Sequence, residues 1–165
     1  MKARTLTAHR RLIVAGTATV ALVVALGTGI TLATPAGPAG ASTATTLADG
    51  HFVNTINANT DPTKLRTKTD VEVFQVANVA QAGWTSGWHA HTGPVLVNIT
   101  GGSLTFHAAD CGVTIVTAGH GYFETPGEAV LARNEGSGVA SWVTTQIIPV
   151  GASRRVDMPG RCGVQ

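Results

Sequence analysis

The sequence predicts an all-β domain built as a small antiparallel barrel, and three observations carry that expectation. From Val71 onward, short runs of β-branched and aromatic residues recur with starts roughly 7 to 12 residues apart, the rhythm of an antiparallel sandwich or closed barrel. Gly, Pro or Asp separates the runs, which is turn chemistry. After residue 50 no apolar i, i+3, i+4, i+7 stripe of useful length occurs, so nothing there reads as an amphipathic helix. With 165 residues, the chain has room for one such domain.

Taken in order, the chain opens on what reads as a targeting signal. MKARTLTAHRR is positively charged, and an uncharged apolar run of 22 residues follows from Leu12 to Ala33. Ala39-Gly40-Ala41 fits the A-x-A pattern for cleavage before Ser42. The same run is long enough to span a bilayer core of about 30 Å, so an uncleaved anchor over residues 12–33 is the alternative. Residues 1–41 are therefore read as a signal helix or membrane anchor, and either places the remainder outside the cytoplasm. Residues 34–50, TPAGPAGASTATTLADG, are low in complexity and bury little. Residues 42–60 are read as a flexible linker and edge segment, and residues 61–165 as the barrel domain.

Within that domain, 61–70 (DPTKLRTKTD) is a charged, turn-rich surface stretch. VEVFQVANVA at 71–80 has strand composition, and WHAH, VLVNIT, SLTFH, VTIV, GYFE, AVLAR and VASWVTTQIIPV continue the series. From Gly151 the chain becomes polar and turn-rich.

Charge excludes one class of partner. The formal net charge is +2, but four of the basic residues lie in the first eleven positions. Beyond Ala41, seven basic residues face nine acidic ones. No basic stripe survives, which argues against nucleic acid. The remaining contact with a membrane is the N-terminal segment itself.

Cysteine usage agrees with an oxidising compartment. Cys111 and Cys162 are the only two, and such a pair most simply forms a disulfide. Closing a 51-residue loop stabilises the folded state by about 4 kcal/mol in the chain-entropy model. A redox or metal-binding thiol is the alternative, although neither residue sits in a C-x-x-C motif.

His89 and His91 stand two apart in WHAH. In a strand both imidazoles face the same side, and neutral imidazole is the commonest side-chain ligand of a transition metal. Trp84 and Trp88 flank the pair and Trp142 lies on a later run, rings that suit either a ligand wall or the core. Trp88, next to the pair, joins the histidines as a candidate ligand contact.

Residues 83–134 resemble the cupin superfamily. Its first motif, G-x5-H-x-H-x3-E-x6-G, is met by Gly83, His89, His91 and Gly102, with Val95 at the glutamate position. Its second, G-x5-P-x-G-x2-H-x3-N, is met by Gly119, Gly127 and Asn134, with Thr125 at the proline position and Val130 at the histidine position. Sixteen residues separate the motifs. The resemblance implies a jelly-roll barrel holding one divalent transition metal, with a small molecule bound inside. Activity, if any, would be metal-dependent oxidation or isomerisation, and many members pair as homodimers.

Two of the four usual ligand positions are aliphatic here, and three readings stay open. The site is vestigial and the barrel is a binding or assembly module. Alternatively another side chain restores it, Glu128 first because it shares strand parity with Val130, with His107 and Gln146 behind it. Or the ligand is organic and the imidazoles act as hydrogen-bonding or acid–base groups without a metal.

Overall fold

The computed structural model describes residues 38–165, and all but the last four residues of the expected leader, 1–41, lie outside them. Among the described residues there are twelve strands and no helix, and so no helix long and apolar enough to cross a membrane. The strands are β1 (Ser42–Phe52), β2 (Asn57–Asn59), β3 (Lys64–Arg66), β4 (Val71–Ala80), β5 (His89–Ala90) and β6 (Val95–Gly101). They continue as β7 (Ser103–Ala108), β8 (Val113–Thr117), β9 (Gly121–Glu124), β10 (Val130–Arg133), β11 (Ala140–Pro149) and β12 (Val156–Asp157).

Two five-stranded sheets form, in the orders β1-β4-β11-β6-β9 and β12-β5-β10-β7-β8, and every pairing is antiparallel. Setting aside the outermost β1 and β12 leaves β4-β11-β6-β9 facing β5-β10-β7-β8. That alternation of the chain between two four-stranded sheets is jelly-roll connectivity. A separate hairpin joins β2 and β3.

The alternation of side chains shows why these sheets face each other. In β6, Val95, Val97 and Ile99 are buried while Leu96, Asn98 and Thr100 are exposed. With a period of two, a slip of one residue would turn all three valine and isoleucine side chains to water, so packing sets the register. The core joins them to Trp84, Leu104, Phe106, Val130, Ala132 and Trp142. Phe106 and Tyr122 stack with centroids 4.0 Å apart, and Trp84 meets Trp142 at 5.0 Å.

Two motif residues have structural jobs. Gly102, at the β6–β7 turn, has φ +67°, and a Cβ there would stand 2.6 Å from the Val139 carbonyl oxygen. Glycine takes that conformation most readily, and only a residue without a Cβ permits that contact. Asn134 is buried; its Nδ2 donates to the Ala80 and Gly138 carbonyls at 3.1 and 2.9 Å, and its Oδ1 accepts from the Gly136 amide.

The structure differs from expectation at the start of the domain. Residues 42–52, expected within a flexible linker, form β1 and pair with β4 along its length, with one register break at Thr46/Ala48. Nearly all of β1 is exposed. Its order therefore comes from backbone hydrogen bonds to the β4 edge and not from apolar burial, which composition cannot register. Phe123 is 54% exposed on the outer face of β9.

Cys111 and Cys162 are joined in a disulfide. The bond ties the C-terminal segment to the β7–β8 turn. A second small core forms beneath that segment, where Trp88, Ala129 and Leu131 pack with Met158 and Val164.

Candidate metal centre

His89 opens the β5 strand, which lies between β12 and β10, and His91 follows directly after its last residue. Both are buried, their ring centroids 4.9 Å apart and nearly perpendicular. The third member is Glu124, the last residue of β9 and 6% exposed. One ligand atom from each of the three lies within 4.8 Å of the others.

Hydrogen bonding fixes what the imidazoles present. His89 Nδ1 donates to the Gly87 carbonyl at 2.9 Å, and His91 Nδ1 donates to the Arg154 carbonyl. A carbonyl only accepts, so in each neutral ring the proton is on Nδ1 and Nε2 carries a bare lone pair. Backbone carbonyls commonly orient metal-binding histidines in this way. His91 Nε2 lies 3.1 Å from Glu124 Oε2, yet that oxygen has no aligned hydrogen-bond donor. Two lone-pair atoms at this separation repel unless a proton or cation lies with them. Two donors each about 2.1 Å from one ion, at tetrahedral or smaller angles, stand about this far apart. The three side chains form a group that could hold a metal ion.

His89 stays neutral across the physiological range. Burial, chiefly, and then the nearby Arg155 cation push its pKa from 6.5 down to about 4, with Glu124 pulling weakly the other way. A neutral ring is the form that ligates.

The centre opens on a cavity of about 230 Å³, room for several waters or a small molecule. Phe74, Trp84, Leu104, Phe106 and Trp142 supply its apolar wall, and Gln146, Arg154 and Arg155 its polar end. Arg154 lies 3.6 Å over the Phe74 ring and donates to Asp49 and Glu72 at 3.0 and 3.1 Å. Arg155 donates to the Ser86 carbonyl and to Asp157, both at 2.7 Å.

The structure rearranges the expected ligand set. Glu128 does not reach the histidines. It sits in an exposed turn closed by its own amide on the Thr125 carbonyl, and β10 begins only at Val130, so strand parity does not extend back to it. Trp88 is 1% exposed but turns away from the cavity, its Nε1 donating to the Val164 carbonyl at 2.8 Å. The reason is the period of two that brings His89 inward. Trp84 and Trp142 line the cavity instead. His107, whose Nε2 lies 3.9 Å from Glu135 Oε1, is not among the lining residues, whereas Gln146 is.

Glu124 was the residue that sequence reasoning missed, and the ladder explains its position. Val95, at the motif's glutamate position, pairs directly with Glu124 across β6 and β9. Directly opposed residues project to the same face about 5 Å apart, so the carboxylate has moved one strand sideways. In GYFE the glutamate is inside and the phenylalanine outside, the reverse of what residue type suggests, so nothing in the sequence signalled it.

No family model matches the chain, and no curated protein does. Solved structures similar to it include a protein with a double-stranded β-helix domain from Klebsiella pneumoniae, 22% identical over 53% of this chain and 71% of that one, with a TM-score of 0.48. A cupin-like protein from Thermotoga maritima is 13% identical over 57% of this chain and 80% of its own, at 0.48. A cupin domain from Bordetella pertussis is 16% identical over 66% and 94%, at 0.46. At such identities any likeness is one of fold. By its own strand connectivity and by the placement of its motif glycines and paired histidines, this chain has the cupin fold.

Proposed function

We propose that this chain is an extracytoplasmic protein that holds one divalent transition-metal ion on His89, His91 and Glu124 and binds a small molecule in the adjoining cavity. The observation that carries the reading is the buried approach of His91 Nε2 to Glu124 Oε2 at 3.1 Å without hydrogen-bond alignment, beside a second Nε2 lone pair. When bound, such an ion polarises a ligand oxygen and lowers the pKa of a coordinated water. The protein's own groups orient the imidazoles through Gly87 and Arg154, keep His89 unprotonated, and wall the adjoining cavity with aromatic rings. The disulfide is compatible with a location outside the cytoplasm.

Elemental analysis of the full chain, purified after loading with manganese, iron, cobalt, nickel or zinc, tests the reading. One ion per chain is expected, and the His89→Ala, His91→Ala double variant should lose it. Absence of metal from the parent under every loading condition overturns the proposal.

A second reading, catalysis of the metal-dependent oxidoreductase or isomerase kind, is favoured by one observation. The three candidate ligands border an open cavity from which a small molecule can reach a bound ion, as in catalytic metal sites. Turnover of small organic substrates by the loaded protein, absent in Glu124→Gln, is the test. A non-catalytic binding module would hold the ion and show no turnover.

A further inference from the structure

We infer, resting on the reading of His89, His91 and Glu124 as a metal site, that Gln146 supplies a fourth protein donor to the same ion through its side-chain amide oxygen. The second-motif position that would otherwise provide it is Val130. That residue pairs opposite His89, is 4% exposed and belongs to the apolar core, so β10 offers nothing to coordinate.

The opposite sheet does. Val95 pairs with Glu124 on one side and with Gln146 on the other, so β11, β6 and β9 carry the three residues in a single row. Val95 is fully buried and faces inward, and its row partners face the same way. Gln146 and Glu124 thus flank the valine, with backbones two strand spacings, or roughly 10 Å, apart. Both carry long side chains, and the short valine between them leaves the space above itself clear. Gln146 lines the cavity that His89, His91 and Glu124 also line.

Its oxygen is also without a partner. Gln146 Oε1 is buried and accepts no hydrogen bond, as is true of Glu124 Oε2. A buried acceptor left unpaired is disfavoured, and a cation between two such oxygens at the ends of one row would satisfy both. The neighbouring residue shows the contrast. Thr145, on the other face of β11, accepts from Gln75 Nε2 at 3.2 Å and is satisfied within the sheet.

The donor set then becomes two imidazoles, one carboxylate and one neutral amide oxygen. Such a mixed nitrogen and hard-oxygen set suits manganese, iron, cobalt or nickel in the divalent state over soft copper(I). An amide oxygen also adds no charge, leaving a bound divalent ion with one net positive charge to attract an anionic ligand.

Cobalt(II) is the probe, because its visible d–d absorption reports coordination number as well as binding. The full chain, stripped of metal, is titrated as parent, Gln146→Leu and Gln146→Glu, with circular dichroism confirming each fold. Gln146→Leu is expected to weaken cobalt binding about tenfold or more and to change the d–d band intensity, while Gln146→Glu restores affinity. Equal affinity and an unchanged spectrum in Gln146→Leu would overturn the role of Gln146 while leaving the three-residue site standing. A parent chain that binds no cobalt would instead remove the three-residue site, and Gln146 with it.

Discussion

At the scale of single residues, the centre depends on where protons sit. His89 has its folded pKa pushed below the unfolded value of 6.5 to about 4. The unfolded chain therefore binds more protons between those two values, and stability falls as pH is lowered through that window. The full contribution is present above pH 6.5, and its loss is complete below about 4. It amounts to roughly 3 kcal/mol for a shift of this size in a buried group. Urea unfolding of the metal-free protein at pH 7 and pH 4 should show this loss, and His89→Gln should remove most of it. An equal pH dependence in parent and variant would contradict the assignment. Glu124→Leu removes both carboxylate oxygens at similar side-chain size; it should abolish stoichiometric metal in elemental analysis without lowering thermal stability of the metal-free protein. Retained metal in that variant would mean the carboxylate is no ligand.

Among the strands and turns, the fold was legible because its signals are local. Alternation in VLVNIT, turn residues between runs and the motif glycines all act over a few positions, and β6, β7 and β11 lie where those signals put them. What could not be read was lateral. That Val95 lies opposite Glu124, or that β1 lies against β4, follows from register between strands distant in sequence, and no short-range pattern encodes it. Glu128 looked attractive from parity along its own strand, but the strand begins two residues later. Trp88 looked close because it is adjacent to His89 in sequence, which in an extended chain means the opposite face. Gly102 illustrates a local rule with a sharp consequence: Gly102→Ala should destabilise the protein by roughly 1–3 kcal/mol, since the left-handed conformation and the Val139 carbonyl both oppose a Cβ. Chemical denaturation measures it, and a neutral result would show that the turn relaxes.

Across the whole molecule, the C-terminal segment acts as a strap. Cys162 anchors it to Cys111, Val164 accepts from Trp88, the Met158 amide donates to the Trp88 carbonyl, and the Arg154 carbonyl holds His91. Denatured, unreduced protein should therefore show almost no free thiol, and two reactive thiols per chain would exclude the bond. Replacing both cysteines with serine should lower stability by about 4 kcal/mol, the chain-entropy figure for a loop of this length, and should weaken metal binding through the looser strap. Mass spectrometry of exported protein should give an N-terminus near Ser42 if the leader is removed; intact Met1 in a membrane fraction would favour the anchor.

His89 stands in one sheet with His91 just past the end of its strand, and Glu124 stands in the other sheet, at the last residue of an outermost strand with a single hydrogen-bonded neighbour. An ion shared among them would therefore work as a rivet across the mouth of the roll. Peeling of Gly121–Glu124, the low-energy opening such a margin permits, would then release the ion, and a loaded rivet would hold the margin down. Backbone amides of 121–124 should exchange with deuterium more slowly in the metal-loaded protein, and the melting temperature should climb with free metal concentration.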